Sequence, residues 1–287
     1  MTSARETTSQ FELRRRQFLT RTQNEPGFPD IARFLWYHTI ELGGGLVTPG
    51  LYDYRDTFDE FHFPSDLKGK TVLDIGSATG FFAFEFERRG AIVTSVELAS
   101  LENLDRFPGQ TVEEVLAKIK RMMFADQHPL STVWTAEEMY WYLLEGPFRF
   151  CSAKLNSKLR RCYATIYDLC LTALHATEPF DLVFAGDVLL HTLDPFRALT
   201  VLAPLAKERL VIAQAMPELL GRLPALVYVG GDNPLEDEVS WWHPTAECFV
   251  QLLKKLGFRH VAEMAKHRGV LMPAAFPFER TVLHALR

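Results

Sequence analysis

The sequence predicts an α/β fold: a mostly parallel sheet with helices on both faces. Three observations predict it. Thr71 to Ile75 is a short β-branched and apolar run of the kind that forms a buried parallel strand. A glycine turn, an amphipathic helix over Phe81 to Arg89 closed by Gly90, and a second apolar run over Ala91 to Val96 follow it. Strand, turn, helix and strand make a βαβ unit, which implies a right-handed crossover between parallel strands. The alternation then resumes after residue 149 and continues to the end of the chain.

In chain order, residues 1 to about 10 are polar and read as disordered, and 11 to 24 as a basic helix. Residues 30 to 42 carry Ile31, Phe34, Leu35 and His38 at helical spacing, with Asp30 as N-cap and Gly43-Gly44-Gly45 as the stop. After the βαβ unit, residues 108 to 148 read as an insertion of two helices, Val112 to Phe124 and Ala136 to Leu144, parted by His128-Pro129. A helix at 149 to 158, strands at 161 to 167, 180 to 185 and 208 to 213, and a helix at 195 to 203 continue the pattern. An irregular segment over 216 to 243 is followed by a helix at 245 to 256 and strands at 258 to 264 and 280 to 286. Seven strands in this order define a Rossmann-like core over 66–287, preceded by an N-terminal helical extension or lid over 1–65.

Composition narrows the function classes. The chain has 287 residues, 47% hydrophobic and 23% charged, enough for one large domain with additions. A net charge of -5 provides no global field to attract nucleic acid. Cys151, Cys162, Cys170 and Cys248 form no C-x-x-C pair and no metal-ligand spacing with histidine, so reduced thiols and no metal are expected. Arg15-Arg16-Gln17-Phe18-Leu19 mimics a twin-arginine export signal, but polar residues follow where an apolar stretch would be required. No apolar run is long enough to span a membrane, and a cytoplasmic protein is expected.

In an open parallel sheet, ligands bind at the carboxyl ends of the strands, where strand order reverses. Asp74, Gly76, Ser77 and Gly80 lie at the end of the first strand, and Glu97 closes the second, 17 residues beyond Gly80. The glycines permit close backbone approach, and a carboxylate at Glu97 can accept both hydroxyls of a ribose. A dinucleotide site calls for G-x-G-x-x-G with pyrophosphate on a helix N-terminus. Here an acid precedes the first glycine; it would repel a pyrophosphate and attract the ammonium of a methionine moiety. That sign favours S-adenosylmethionine (SAM) over a dinucleotide.

Val72-Leu73-Asp74-Ile75-Gly76-Ser77-Ala78-Thr79-Gly80 resembles the first motif of class I SAM-dependent methyltransferases, with Ala78 where a glycine is commoner. The resemblance implies a SAM cofactor with S-adenosylhomocysteine (SAH) as product. It implies ribose binding by Glu97, adenine contact by Asp168, and Gly186 and Asp187 beside the methionine moiety. Trp36-Tyr37-His38-Thr39-Ile40 and Thr48-Pro49-Gly50 are similar to a narrower subfamily, related to the tRNA wobble-uridine 5-oxyacetyl (carboxymethyl) methyltransferases.

Acceptor residues are less readable, because methyl transfer mainly needs alignment. His191 is the candidate general base, or a histidine that bonds backbone. Trp36, His38, Arg55, Trp241 and His243 are candidates for the substrate wall, along with Tyr37 and Trp242; the aromatic ones could equally staple peripheral segments to the core. A small-molecule acceptor methylated on oxygen or nitrogen is the leading expectation. A tRNA substrate and a non-catalytic cofactor-binding protein are the alternatives.

Overall fold

The computed structural model describes residues 7–123, 135–218, 222–232 and 239–287. Its centre is a seven-stranded sheet, built from β1 (Thr71–Ile75), β2 (Ile92–Glu97), β3 (Arg160–Tyr163), β4 (Phe180–Gly186), β5 (Ala206–Gln214), β8 (His260–Leu271) and β9 (Phe276–Leu286). The order is β3-β2-β1-β4-β5-β9-β8. β1 to β5 pair in parallel, and β9 runs antiparallel to both β5 and β8. The expected Rossmann-like, mostly parallel seven-stranded sheet is therefore present. Strand order reverses between β1 and β4, which fixes the ligand crevice at their carboxyl ends.

Both faces of the sheet are covered. β1 alternates: Val72 joins the core that holds α2 (Phe81–Arg88) and α5 (Gly146–Leu155), while Leu73 and Ile75 join the one under α6 (Pro195–Leu205) and α7 (Ala246–Lys255). The first core is almost a phenylalanine cluster: Phe58, Phe61, Phe63, Phe82, Phe86 and Phe184 meet mostly edge-on or tilted. Edge-on contact sets the positive ring rim against the negative face, adding to plain apolar burial.

The basic N-terminal helix forms as α1 (Thr8–Thr22), opened by a capping box from Thr7 and Gln10. It buries Phe11 and Phe18, so the twin-arginine run is part of an amphipathic helix docked on the core.

The expected helix over 30 to 42 is not formed. Only a 3-10 turn, Ile31–Arg33, is helical, and Asp30 makes no side-chain cap. The segment runs on as an extended strap. Leu51 donates to the Trp36 carbonyl (2.8 Å), Thr39 to Tyr52 (2.8 Å) and Leu35 to Tyr142 (2.9 Å). The apolar residues spaced like a helix face are buried on successive sides of this strap instead, because tertiary hydrogen bonds replace the helical ones. Gly50 makes the crossing possible: a Cβ there would lie 1.9 Å from the His38 carbonyl carbon.

The insertion holds α3 (Val112–Met123) and α4 (Ala136–Tyr140); Phe124 and the His128-Pro129 break lie outside the described residues. α4 does not reach Leu144 as an α-helix. It widens into a π turn over Trp141–Glu145 before α5. The segment over 216 to 243, expected to be irregular, contributes β6 (Leu226–Tyr228), which pairs with β7 (Trp242–Pro244); residues 219–221 and 233–238 are outside the described set. Among the described residues no helix is long and apolar enough to cross a membrane, and none group as a metal site.

Candidate active site

The first strand ends in the turn expected of a ligand cradle. Gly76 adopts φ 65°, Ala78 φ 46° and Gly80 φ 95°. At Gly76 a Cβ would lie 2.2 Å from Val188 Cγ2, so the turn also packs against the segment that follows β4. Ala78 is the strained member: a left-handed backbone costs an L-residue about 1 kcal/mol. Its peptide is held from both ends. Its N–H donates to Glu97 Oε2 (2.9 Å), and its carbonyl accepts from Arg161 Nη2 (3.2 Å).

Two carboxylates sit behind this turn. Asp74 is 2% exposed, and its Oδ2 has no hydrogen-bond partner. Burial, reinforced by the charge of Glu97, pushes its carboxyl well above the usual range; Arg161 and the Ala83 N–H pull the other way. Glu97 is buried too, accepting from the Ala78 and Leu98 N–H groups.

Arg161 was not foreseen from the sequence. On β3 it is in register with Ser95 of β2, itself in register with Asp74. Its guanidinium lies over the Phe148 ring (3.7 Å) and bonds Ser77 Oγ (3.0 Å), Ser95 Oγ (3.3 Å) and Glu145 Oε2 (3.2 Å). Glu145 belongs to the π turn of the insertion and also accepts from Arg149 and the Tyr163 hydroxyl. Burial raises its carboxyl, but Arg161, Tyr163 and Arg149 outweigh that and hold it below the usual value. The insertion is thus wired to the cradle through a buried ion pair.

The remaining candidates are dispersed. Asp168 is exposed in the turn after β3, accepting from Thr165 Oγ1 (2.5 Å). Gly186 ends β4, and Asp187, in a left-handed conformation, accepts from Arg280 Nε on β9 (2.6 Å). His191 Nδ1 donates to the Val239 carbonyl (2.7 Å), so the ring carries a proton on Nδ1.

Trp36 is buried against Phe18, Phe34 and Phe150. His38 is buried, with Nδ1 3.1 Å from Thr79 Oγ1, and burial lowers its pKa to about 3. Arg55 is turned onto Asp53 in a two-point pair (2.9 and 2.7 Å). Trp241 is buried under Lys118 and Phe107, and His243 lies in β7. The structure brings Asp74, Ser77 and Glu97 together with Gly76 and Gly80; it seats His38 against the same turn and leaves Arg55 at the surface.

Sequence reasoning also passed over Tyr52, Tyr54, His267 and Arg280, which surround Asp187. Their signal is faint, because only pairing of the N-terminal strap with the last two strands makes them neighbours.

No protein-family model matches the sequence, and a search of curated proteins finds no match. Among solved structures the chain is similar to the magnesium protoporphyrin IX methyltransferase ChlM of Synechocystis PCC 6803 with bound SAM. There the identity is 15% over 77% of this chain and 71% of that one, with a TM-score of 0.42. It is similar to the N-terminal domain of EvdMO1 with bound SAH (14% identity, 95% and 97% covered, TM-score 0.46). It is also similar to a SAM-dependent methyltransferase from Aquifex aeolicus (16%, 82% and 90%, TM-score 0.42).

Proposed function

We propose that this protein is a SAM-dependent methyltransferase acting on a small-molecule acceptor. The observation that carries the reading is the buried Asp74 carboxylate. It stands without a partner on Oδ2, beside Glu97 and behind a glycine turn at the point of strand reversal. Two close carboxylates call for a ligand that brings positive charge and hydroxyl donors together, and SAM combines an ammonium, a sulfonium and a ribose diol. A pyrophosphate would be repelled.

Asp74 would face the ammonium, Glu97 the ribose and Asp168 the adenine amino group, with Gly186 lining the methionine end. SAM supplies a methyl group already activated by its sulfonium. The chain then has only to hold the acceptor in line and, for a hydroxyl or amine acceptor, take its proton. His191, the candidate base of the sequence, would take that proton. The N-terminal strap, the insertion and the β6–β7 segment form the lid. No feature of the described structure favours the tRNA-modifying or the non-catalytic alternative.

Calorimetry with SAH tests this. Burial pushes the Asp74 pKa up and an arriving cation pushes it back down, so over the pH range where Asp74 titrates binding should release protons and the heat should depend on the ionisation enthalpy of the buffer. Asp74→Asn should abolish that dependence and weaken SAH by roughly 10–100-fold, the range of a charged hydrogen bond. Undiminished SAH binding by Asp74→Asn would overturn the reading.

A further inference from the structure

Two buried acceptor atoms without partners lie in a second cluster, where the strap meets the end of β4 and the last two strands. One is Asp187 Oδ1. The other is His267 Nε2, on a histidine 1% exposed. Native structures rarely leave such atoms unsatisfied, and two in one cluster point to a missing donor. Tyr54 links them: its ring is 5.3 Å from that of His267, and its phenol feels the charge of Asp187.

Both orphans accept. His267 Nδ1 is 2.9 Å from Glu60 Oε2, so the ring proton is on Nδ1 and Nε2 offers a lone pair. Burial lowers the pKa of His267, which keeps it neutral. Asp187 has its other oxygen committed to Arg280. The charges of Asp187 and Arg280 offset one another, and the Glu60 carboxylate on His267 adds a negative charge that disfavours an anion.

The neighbouring side chains are rings. Tyr52 stacks on Tyr54 (5.9 Å, 5°), Tyr37 leans on Tyr52 (4.9 Å), and Phe278 closes edge-on (5.0 Å). Burial raises all three tyrosine pKa values, so the phenols stay protonated and uncharged. Tyr37, Tyr52, Asp187 and Arg280 are each partly exposed, which leaves the cluster a route to solvent.

We propose that Tyr37, Tyr52, Tyr54, Asp187, His267 and Arg280 form the methyl-acceptor subsite, and that it takes a neutral ring bearing two hydroxyl groups. One hydroxyl donates to Asp187 Oδ1 and the other to His267 Nε2, while the ring packs against Tyr37 and Tyr52, the two tyrosines that are partly exposed. This places Asp187 on the acceptor side of the crevice, not the cofactor side. Its role as the acceptor site rests on the methyltransferase reading; the binding chemistry does not.

Three probes of similar size test it, titrated by ligand-observed NMR with and without SAH: catechol (two donors), veratrole (both hydroxyls methylated) and benzoate (an anion). Catechol should bind at least about tenfold more tightly than the other two, since each lost hydrogen bond to a charged or buried partner is worth about that much. Asp187→Asn keeps its amide oxygen on Arg280 and turns an NH₂ toward the site, so catechol should weaken about tenfold or more. His267→Phe keeps the ring volume and should lose catechol to a similar extent, with SAH affinity unchanged.

Veratrole binding as tightly as catechol, benzoate binding more tightly, or both variants retaining catechol would each overturn the proposal. SAH binding without catechol binding would sink the subsite alone. Catechol binding without SAH binding would sink the methyltransferase reading and leave the subsite.

Discussion

The proposed donor and acceptor sides of this crevice are built in opposite ways. The cradle is local: Asp74 to Glu97 is one βαβ unit, and its key contacts form within it or with the adjacent strand. The acceptor cluster is assembled from afar. Tyr37, Tyr52 and Tyr54 come from the strap, Asp187 from the end of β4, and His267 and Arg280 from the last two strands. A local site can be specified by a short pattern. A composite one is specified by packing, and each contributor is an ordinary residue until the others are in place.

The sharpest way to break the contrast is at Arg161, the residue that makes the cradle less local than its motif suggests. Removing one partner of a buried ion pair costs about 3–5 kcal/mol. Arg161→Gln should therefore lower stability by about that amount, by urea unfolding, and weaken SAH. Adding Glu145→Gln should recover part of the loss, because no unpaired charge then remains. A purely additive double variant would show that the insertion and the cradle are not coupled.

Acid compares the sides next. Burial lowers the pKa of His38, against the cradle, to about 3, and that of His284, bonded to Arg209 and the Phe61 carbonyl, to about 4. Both folded values lie below the unfolded value, so these groups contribute stability that is full above about pH 6.5. It is lost as the pH falls toward 4 and then 3, each worth on the order of 3 kcal/mol. Thermal melts from pH 7 down to 4 should show a progressive fall that His284→Gln flattens. A pH-independent melting temperature over this window would contradict the burial of these rings as neutral groups.

The smallest effect sharpens the local side. Ala78→Gly relieves the left-handed strain and should stabilise the protein by up to about 1 kcal/mol, measured by denaturant midpoint. It should also lessen the SAH defect of Arg161→Gln, since the clamp on the Ala78 carbonyl then has less strain to hold. Destabilisation by Ala78→Gly would show that the methyl group, not the backbone, matters at this position.

What could be read in advance follows the same division. The seven strands and most helices were legible because the period of 3.6 and the short apolar runs are local signals. Asp74, Gly76, Gly80 and Glu97 were legible because a sign argument needs only their order. The strap misled: Ile31, Phe34, Leu35 and His38 have helical spacing, yet the chain is extended, because Tyr52, Thr48 and Tyr142 accept or donate the hydrogen bonds that a helix would have made internally. The π turn was invisible because Trp141 to Glu145 reads as plain helix. Arg161 was invisible because register is not a property of one strand.

The position of β9 has a further consequence, for the order in which the protein can be made. β9 follows both β5 and β8 in the chain, yet it lies between them in the sheet, and it carries Arg280. On a ribosome the Asp74 to Glu97 unit is made long before β9 emerges. Until that strand inserts, Asp187 has no Arg280 and one flank of β5 is open. A chain stopped short of Phe276 would retain the glycine turn after β1 and lose Arg280 from the Asp187 cluster, so synthesis itself separates the two halves of the crevice in time.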